Sequence, residues 1–477
     1  MLHSIYFLNT LLFNFCVAFY LILALQWYSY KLKRLVFHYH KPLLHLYFLA
    51  LPYVIFITSL GFSWFSLAYF TLIHTPLLYF WHKSIDKKLV FTAKVKWFFC
   101  FVFAFNVLFS ILSLRFSFLF NLLSLPCALI SLKILDLLQA RYFLKKAKHK
   151  ILKNDHLTII LITASFGKTS IKNFLYELLK DDFITHKSPR SVNTLMGIVK
   201  DINENLQENT QIYIAEAGAR VKGDILELSS FLEPQICIIG EIGGAHLEYF
   251  KNIENTRETK LEALQSKRLK QAFLHSSTLK KDESNMIIYD NLLLNFNANL
   301  NGIDFSLRLN DKEEFFQSSI LGAFNAENLC ACVCCANYLG VKLETIKKQI
   351  VNLKAVEHRL QIISKEPKFI IDDGFNGNFK GMSESYHLAK SYQGRRVLVT
   401  PGVIEGSEED NKKLAKIINE SFDLVIISAH INAALFEKEL KINKIILKEK
   451  AKLVEILAKH TKNGDLILFS NDAPSYL

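Results

Sequence analysis

Acidic side chains are almost missing from the first 150 residues, where Asp86 and Asp136 stand against sixteen lysines and arginines. The whole chain carries +13, so that segment accounts for +14 and the remainder for −1. The basic excess therefore belongs to the loops of one apolar segment and gives no argument for a nucleic-acid partner. The N-terminus lacks a basic start and a small-residue cleavage site, which argues against a removable signal peptide. Paired Cys-x-x-Cys knuckles are missing too. Of eight cysteines, Cys16, Cys100 and Cys127 fall in apolar stretches. Cys330, Cys332, Cys334 and Cys335 crowd into CACVCC with no histidine nearby, the composition of a buried helix packed with small residues rather than a zinc site.

What the first 140 residues do have is long apolar runs. Five stretches, at about 5–27, 44–62, 64–81, 97–114 and 117–135, approach the roughly 20 residues that a helix needs to cross a bilayer. The second and third are short, and a re-entrant hairpin would fit them as well. Basic clusters at Lys31–Lys41, Lys83–Lys96 and Arg141–Lys150 all fall on one side of such a five-span arrangement. By the positive-inside rule that side is cytoplasmic, with the N-terminus outside and everything after Lys150 in the cytosol. The expectation is a multi-pass membrane segment over residues 1–140, with membrane lipid as a partner.

The stretch LTIILITASFGKTS, residues 157–170, organises the rest. A β-rich apolar run, Leu157–Ile162, enters a short loop, and a helix pattern follows over Ile171–Lys180. Gly167 lets the backbone bend tightly around a phosphate, and the helix N-terminus aims N–H groups at the anion. Lys168 is placed to reach the β- and γ-phosphates and Thr169 to hold magnesium, with Ser165 and Ser170 counted among the nucleotide contacts. Thr163 or Ala164 stands where a phosphate loop has its first glycine. Residues 154–352 continue as alternating strands and helices, the pattern of a mostly parallel sheet covered on both faces. A polar loop with Asn193 and Thr194 precedes a strand that ends at Glu216. A carboxylate there faces the ligand crevice as a candidate magnesium ligand. After the strand Gln235–Ile239, GEIGGAH brings His246 to the same rim.

The order TASFGKTS, NTLMG, EAGA, IGGAHLEYF and ENTRETKLEAL resembles the central domain of the Mur ligases, ATP-dependent amide-forming enzymes of bacterial peptidoglycan precursor synthesis. The resemblance makes Lys260 the match of a lysine that the family modifies to a carbamate, which would turn an amine into an oxygen ligand for a second magnesium ion. An unmodified lysine pairing with phosphate is the alternative. In GAFNAENLCAC, Asn325 and Asn328 match the residues that read adenine, although Phe324 replaces the usual histidine, and helix capping by Asn325 is the other reading. Arg359 in Glu357-His358-Arg359-Leu360 matches the domain-closing arginine of a Rossmann-like α/β C-terminal domain, residues 353–477. DDGFNGNFKGM, VTPGVIEGS and the C-terminal LILFSNDAPSYL are similar to the branch that joins D-Ala-D-Ala to UDP-N-acetylmuramoyl-tripeptide, with Asn376 and Asn378 as substrate contacts and Asp373 on the ribose or in domain closure.

The resemblance implies a two-step ligation through an acyl phosphate. Lys168, Glu216, His246, Lys260 and Arg359 are its catalytic group, and Thr169, Glu216, His246 and Lys260 its magnesium ligands. The apolar spans, not the resemblance, place the chain at the bacterial inner (cytoplasmic) membrane with its catalytic domains in the cytoplasm, where they either tether it near later lipid-linked steps or scaffold other wall-synthesis enzymes. Nothing resembles the branch's Asp-Ser-Arg uridine-binding opening, whose place the apolar segment takes. Two alternatives stay open: another amide ligase of the superfamily with a lipid-linked or different acceptor, and a non-catalytic membrane scaffold.

Overall fold

The computed structural model describes residues 2–28, 30, 35, 42–59, 63–85, 87–244, 250–375, 377–404, 406–447 and 449–472. It divides into two compact units, Met1–Tyr142 and Phe143–Leu477.

Among the described residues the first unit has helices and no strands. Its helix Leu2–Trp27 is apolar on every face, as a helix buried inside a bundle must be. Phe13 stacks on Phe56 at 4.2 Å between ring centroids and meets Tyr53 edge-on at 5.0 Å. Buried polar groups bond across the bundle: the Asn106 amide donates to the Thr10 carbonyl at 3.2 Å, the Ser66 hydroxyl to Asn9 Oδ1 at 3.0 Å, and the Asn121 amide to the Tyr6 hydroxyl at 2.8 Å.

The five-span expectation is corrected here. Among the described residues three helices, Ile5–Trp27, Ala93–Ser113 and Leu119–Leu152, are long and apolar enough to cross a membrane by length and composition. The two stretches between them are helical with a π-turn inside each, the flanking backbone staying right-handed helical. One is Pro42–His45, the π-turn Leu46–Ala50 and Leu51–Thr58; the other is Ser63–Tyr69, the π-turn Phe70–His74 and Thr75–Ser84. Pro52 and Pro76 lie in the first turns that follow the two π-turns.

In the second unit, strands β1 (Thr158–Thr163), β2 (Thr185–Lys187), β3 (Ile212–Glu216), β4 (Ile236–Ile239), β5 (Gln271–Leu274) and β6 (Met286–Ile288) form one sheet. Their order is β2-β3-β1-β4-β5-β6, and every pairing is parallel. β1 is central and buried on both faces, which its unbroken run of Ile and Leu requires. Ile160 and Ile162 pack with helices Lys168–Leu179 and Phe324–Tyr338 on one face. Ile159 and Leu161 pack with Leu195–Asn205 and Asp224–Leu232 on the other. Cys330, Cys332, Cys334 and Cys335 are free, buried thiols in the helix Phe324–Tyr338, filling the close approach to the sheet that their small volume permits.

An antiparallel meander of β7 (Leu293–Asn299), β8 (Gly302–Leu309) and β9 (Lys312–Ser318) interrupts the strand–helix alternation that the sequence pattern suggests. Its second turn is Asn310-Asp311, with φ of 50° and 61°, the positive values that a two-residue hairpin loop demands. A second six-stranded sheet follows, built from β10 (Gln361–Ser364), β11 (Phe369–Asp373), β12 (Arg396–Thr400), β13 (Leu424–Ile427), β14 (Asn443–Ile446) and β15 (Leu466–Ser470). The order is β10-β11-β15-β12-β13-β14, parallel except at the edge pair β10–β11.

Candidate active site

Parallel strands end on one rim, and the loops leaving β1, β3 and β4 meet there. The Gly240 N–H donates to the Thr163 carbonyl at 2.8 Å, and the Ser165 N–H to the Glu241 carbonyl at 2.8 Å, so the loop after β4 holds the loop after β1. The Ser165 hydroxyl adds a bond to the Gly243 carbonyl at 3.1 Å. Gly167 then turns into the helix Lys168–Leu179 with φ 77°, and a side chain in its place would also meet the Asn328 amide oxygen at 2.5 Å. Glycine is required twice over, by conformation and by space.

Lys168 curls back over this loop, donating to the Ala164 carbonyl at 2.7 Å and the Ser165 carbonyl at 3.3 Å. Burial pushes its ammonium down to about 8, with Glu216 acting the other way and Arg359 adding to the fall. The Thr169 hydroxyl lies 3.2 Å from Glu216 Oε2. Ser170 is buried beside Gly167 and Asn328. The sequence reading passed over Lys172, which the structure puts at the centre: its ammonium lies 3.1 Å from Glu216 Oε2, and both side chains are about 1% exposed. It also donates to the Arg190 carbonyl. The signal was available, since residues 168 and 172 are one helical turn apart and share a face.

Lys260, in the last turn of the helix Ile253–Leu261, is 3% exposed. Burial first, and then the charge of Lys168, bring its ammonium down to about 7, against the opposing pull of Asp224 and Glu262. A large share of the amine is therefore neutral near pH 7.

Arg359 reaches the same place from the second sheet. It is flanked by His358 at φ 61° and Leu360 at φ 45°, left-handed values that cost a non-glycine residue free energy and persist only where surroundings impose them. Those surroundings are the two aspartates ending β11. His358 Nδ1 pairs with Asp372 Oδ2 at 2.6 Å, and the Leu360 N–H donates to Asp373 Oδ1 at 3.2 Å. Burial pushes the Asp373 carboxyl up to about 7, with the Leu360 N–H and Arg359 restraining it. The Arg359 guanidinium lies 4.8 Å above the Phe375 ring.

Gly167, Ser170, Asn328, Arg359, Asp373 and Asn378 line one pocket between the two sheets. Asn378 also caps the helix Phe379–Lys390, accepting from the Gly381 N–H at 3.0 Å. Asn325 lies behind Asn328: its amide donates to the Leu321 carbonyl at 2.8 Å and its oxygen accepts from Asn328 at 2.9 Å. Asn193 packs on Gly218, just beyond the end of β3, and Thr194 precedes the helix Leu195–Asn205 without a side-chain cap bond. His246 and Asn376 lie outside the described residues.

Residues 162–336 match the model of the Mur ligase middle domain. The chain carries a Mur ligase middle domain. Over 332 residues, covering 65% of this chain and 72% of its relative, it is 26% identical to the UDP-N-acetylmuramoyl-tripeptide–D-alanyl-D-alanine ligase of Bacillus subtilis. The ligase of the same name from Buchnera aphidicola subsp. Acyrthosiphon pisum is 26% identical over 343 residues, covering 65% and 75%. Among solved structures, MurF from Thermotoga maritima in complex with ADP superposes with a TM-score of 0.60 at 23% identity, covering 70% of this chain and 80% of that one. The matched residues cover most of the first sheet and its rim, including Gly167, Lys168, Glu216, Lys260 and Asn328, whereas Arg359, Asp373 and Asn378 of the pocket lie beyond them. The expected multi-pass inner-membrane location is corrected: the matched relatives carry the names of ligases acting on a UDP-linked tripeptide, and among the described residues three helices, not five, are long and apolar enough to cross a membrane.

Two predictions follow from this geometry. Gly167→Ala should weaken binding of a fluorescent ATP analogue at least ~10-fold with the circular dichroism unchanged, because the strained φ and the Asn328 contact displace the loop; affinity within twofold of the parent contradicts it. For Lys260, the unfolded chain holds the proton up to the ordinary 10.5 and the folded chain only to about 7. Unfolding therefore takes up a proton within that window, and Lys260 makes stability rise with pH there by about 1 kcal/mol per unit. Urea unfolding of Lys260→Met at pH 7.5 and 9.5 should show a shallower pH slope than the parent; an identical slope refutes the assignment.

Proposed function

We propose that this chain is an ATP-dependent, ADP-forming ligase that joins D-Ala-D-Ala to UDP-N-acetylmuramoyl-tripeptide in peptidoglycan precursor synthesis. The observation that carries the reading is the meeting, in one crevice between two α/β sheets, of a glycine-turned loop with Lys168, the Thr169–Glu216 pair and Arg359. The names of the matched relatives supply the substrates. Within residues 143–477 the division of labour follows the two sheets, each with its own core: 154–352 as a P-loop-type nucleotide-holding domain, and 353–477 as a Rossmann-like domain closing over it.

The tripeptide carboxylate attacks the γ-phosphorus, ADP leaves, and the amine of D-Ala-D-Ala then displaces phosphate from the acyl phosphate to form the amide. Phosphoryl transfer of this kind rests on positioning and charge neutralisation. Lys168 and Arg359 supply positive charge at the γ-phosphate. The Gly167 turn aims the N–H groups of the following helix at the phosphates, and Asn328 and Asn378 border the nucleotide's pocket. Asp373 fixes the backbone that presents Arg359. Asn193 and Thr194 flank the acceptor side of Glu216, with Asn376 assigned to the same substrate.

Among the described residues no group of three or more His, Cys, Asp or Glu side chains could hold a metal. Magnesium fits such a site, because it takes one or two protein carboxylates and completes its shell with phosphate oxygens and water. Thr169 and Glu216 are oxygen donors of that kind and would hold one ion. Carbamylated Lys260 and His246 would hold a second, an assignment favoured by the burial that brings the Lys260 ammonium down to about 7. Magnesium supplies neutralisation of the phosphate charge.

The test is phosphate release by the full chain. Release should require ATP, UDP-N-acetylmuramoyl-tripeptide and D-Ala-D-Ala together, with the pentapeptide product seen by mass spectrometry. Lys168→Ala should lower kcat at least ~100-fold. Phosphate release indifferent to either acceptor or donor would defeat the reading.

A further inference from the structure

A second cleft of about 1040 Å³ lies across Thr169 and Arg359 from the nucleotide pocket. One wall is the helix Lys168–Leu179 with Lys187 and Arg190, and the other is the helix Leu343–Val351 with Lys348 and Lys354 from its end and the linker beyond. Its volume is at the upper end of the range of about 300–1,000 Å³ for small-molecule sites.

The charge of this cleft is unbalanced. Of the carboxylates lining it, Glu177 pairs with Lys180 at 2.5 Å, Asp181 accepts from the Gln349 amide at 3.2 Å, and Glu357 lies 3.9 Å from His358. Among the described residues Lys187, Arg190, Lys348 and Lys354 have no carboxylate partner. Lys187 is instead held in place by Asn173 Oδ1 at 2.6 Å, above the Tyr176 ring at 4.2 Å. Arg190 stands on a strained backbone, φ 43°, whose carbonyl is tied to Lys172 and through it to Glu216. Four cations around a cleft, three of them exposed and none in an ion pair among the described residues, outnumber the carboxylates that line it and attract a polyanion.

We propose that this cleft seats the diphosphate-bearing half of the UDP-linked acceptor, with its peptide carboxylate directed inward to Thr169 and Arg359. The proposal rests on the ligase reading above and adds to it the place where the acceptor's anionic end is held. An acceptor carrying a diphosphate at one end and a reacting carboxylate at the other needs a basic rim and an opening onto the transferred phosphate, and the cleft has both.

The experiment uses the full chain and the triple variant Arg190→Gln/Lys348→Gln/Lys354→Gln, all three side chains being exposed and their loss harmless to the core. KM for UDP-N-acetylmuramoyl-tripeptide should rise at least ~10-fold, while kcat and the affinity for a fluorescent ATP analogue stay within twofold. With N-acetylmuramoyl-tripeptide, which lacks the UDP, parent and variant should be alike. An unchanged KM, an equal rise with both acceptors, or a loss of ATP affinity overturns the proposal; the last would assign the cations to ATP's own phosphates. Calorimetry with UDP alone needs no turnover and separates the two readings. UDP binding that weakens ~10-fold in the variant supports the cleft even where no amide forms. A parent that ligates but whose UDP affinity is the same as the variant's retains the ligase reading and overturns this one.

Discussion

Glu216 is a carboxylate at the end of a strand whose every residue is buried, and a charge in that position has to be answered. Lys172, equally buried, answers it at 3.1 Å, and the Thr169 hydroxyl adds a bond at 3.2 Å. From this pair the rest of the site is laid out. Lys172 is one turn along the helix that begins at Gly167, so the pair sets the rotation of that helix and the aim of its N-terminus. Through the Arg190 carbonyl it also fixes the loop leaving β2, which borders the acceptor cleft. A buried pair contributes little net stability compared with apolar packing, but it allows one arrangement only, and the site uses that specificity.

The second sheet reaches this centre by a different constraint. Two aspartates at the end of β11 hold His358 and Leu360 in left-handed backbone on either side of Arg359. A guanidinium brought among Lys168, Lys172, Asp373 and Glu216 meets repulsion from two ammonium groups and attraction from two carboxyl groups, one of them, Asp373, pushed up by burial. Such a balance is poised for added negative charge, and phosphate groups would supply it.

How much of this the sequence disclosed depended on the kind of signal. The strand–loop–helix at 157–179 was legible because an apolar run rich in β-branched residues, a glycine at the turn and an amphipathic helix each follow from local chemistry. Glu216 was legible as a strand-end carboxylate. Lys172 was not, because a lysine in a helix reads as solvated until the strand it faces is known. The β7–β9 meander hid within an expected strand–helix alternation, although Asn301-Gly302 and Asn310-Asp311 between alternating apolar residues are hairpin signals. In the first unit, hydropathy found the apolar stretches but not the π-turns inside the two middle ones, next to Pro52 and Pro76. Asn325 matched a nucleotide contact by spacing, yet its amide is occupied by Leu321 and Asn328, a distinction of one helical turn that only coordinates resolve.

The claim that the Glu216–Lys172 pair organises the site is most directly tested by a double-mutant cycle on unfolding free energy. Lys172→Met alone should cost about 3–5 kcal/mol, because it leaves a buried carboxylate unanswered. Adding Glu216→Gln to it should recover a substantial part of that loss. A cost below about 1 kcal/mol for Lys172→Met, or a double variant less stable than either single one, would contradict the account.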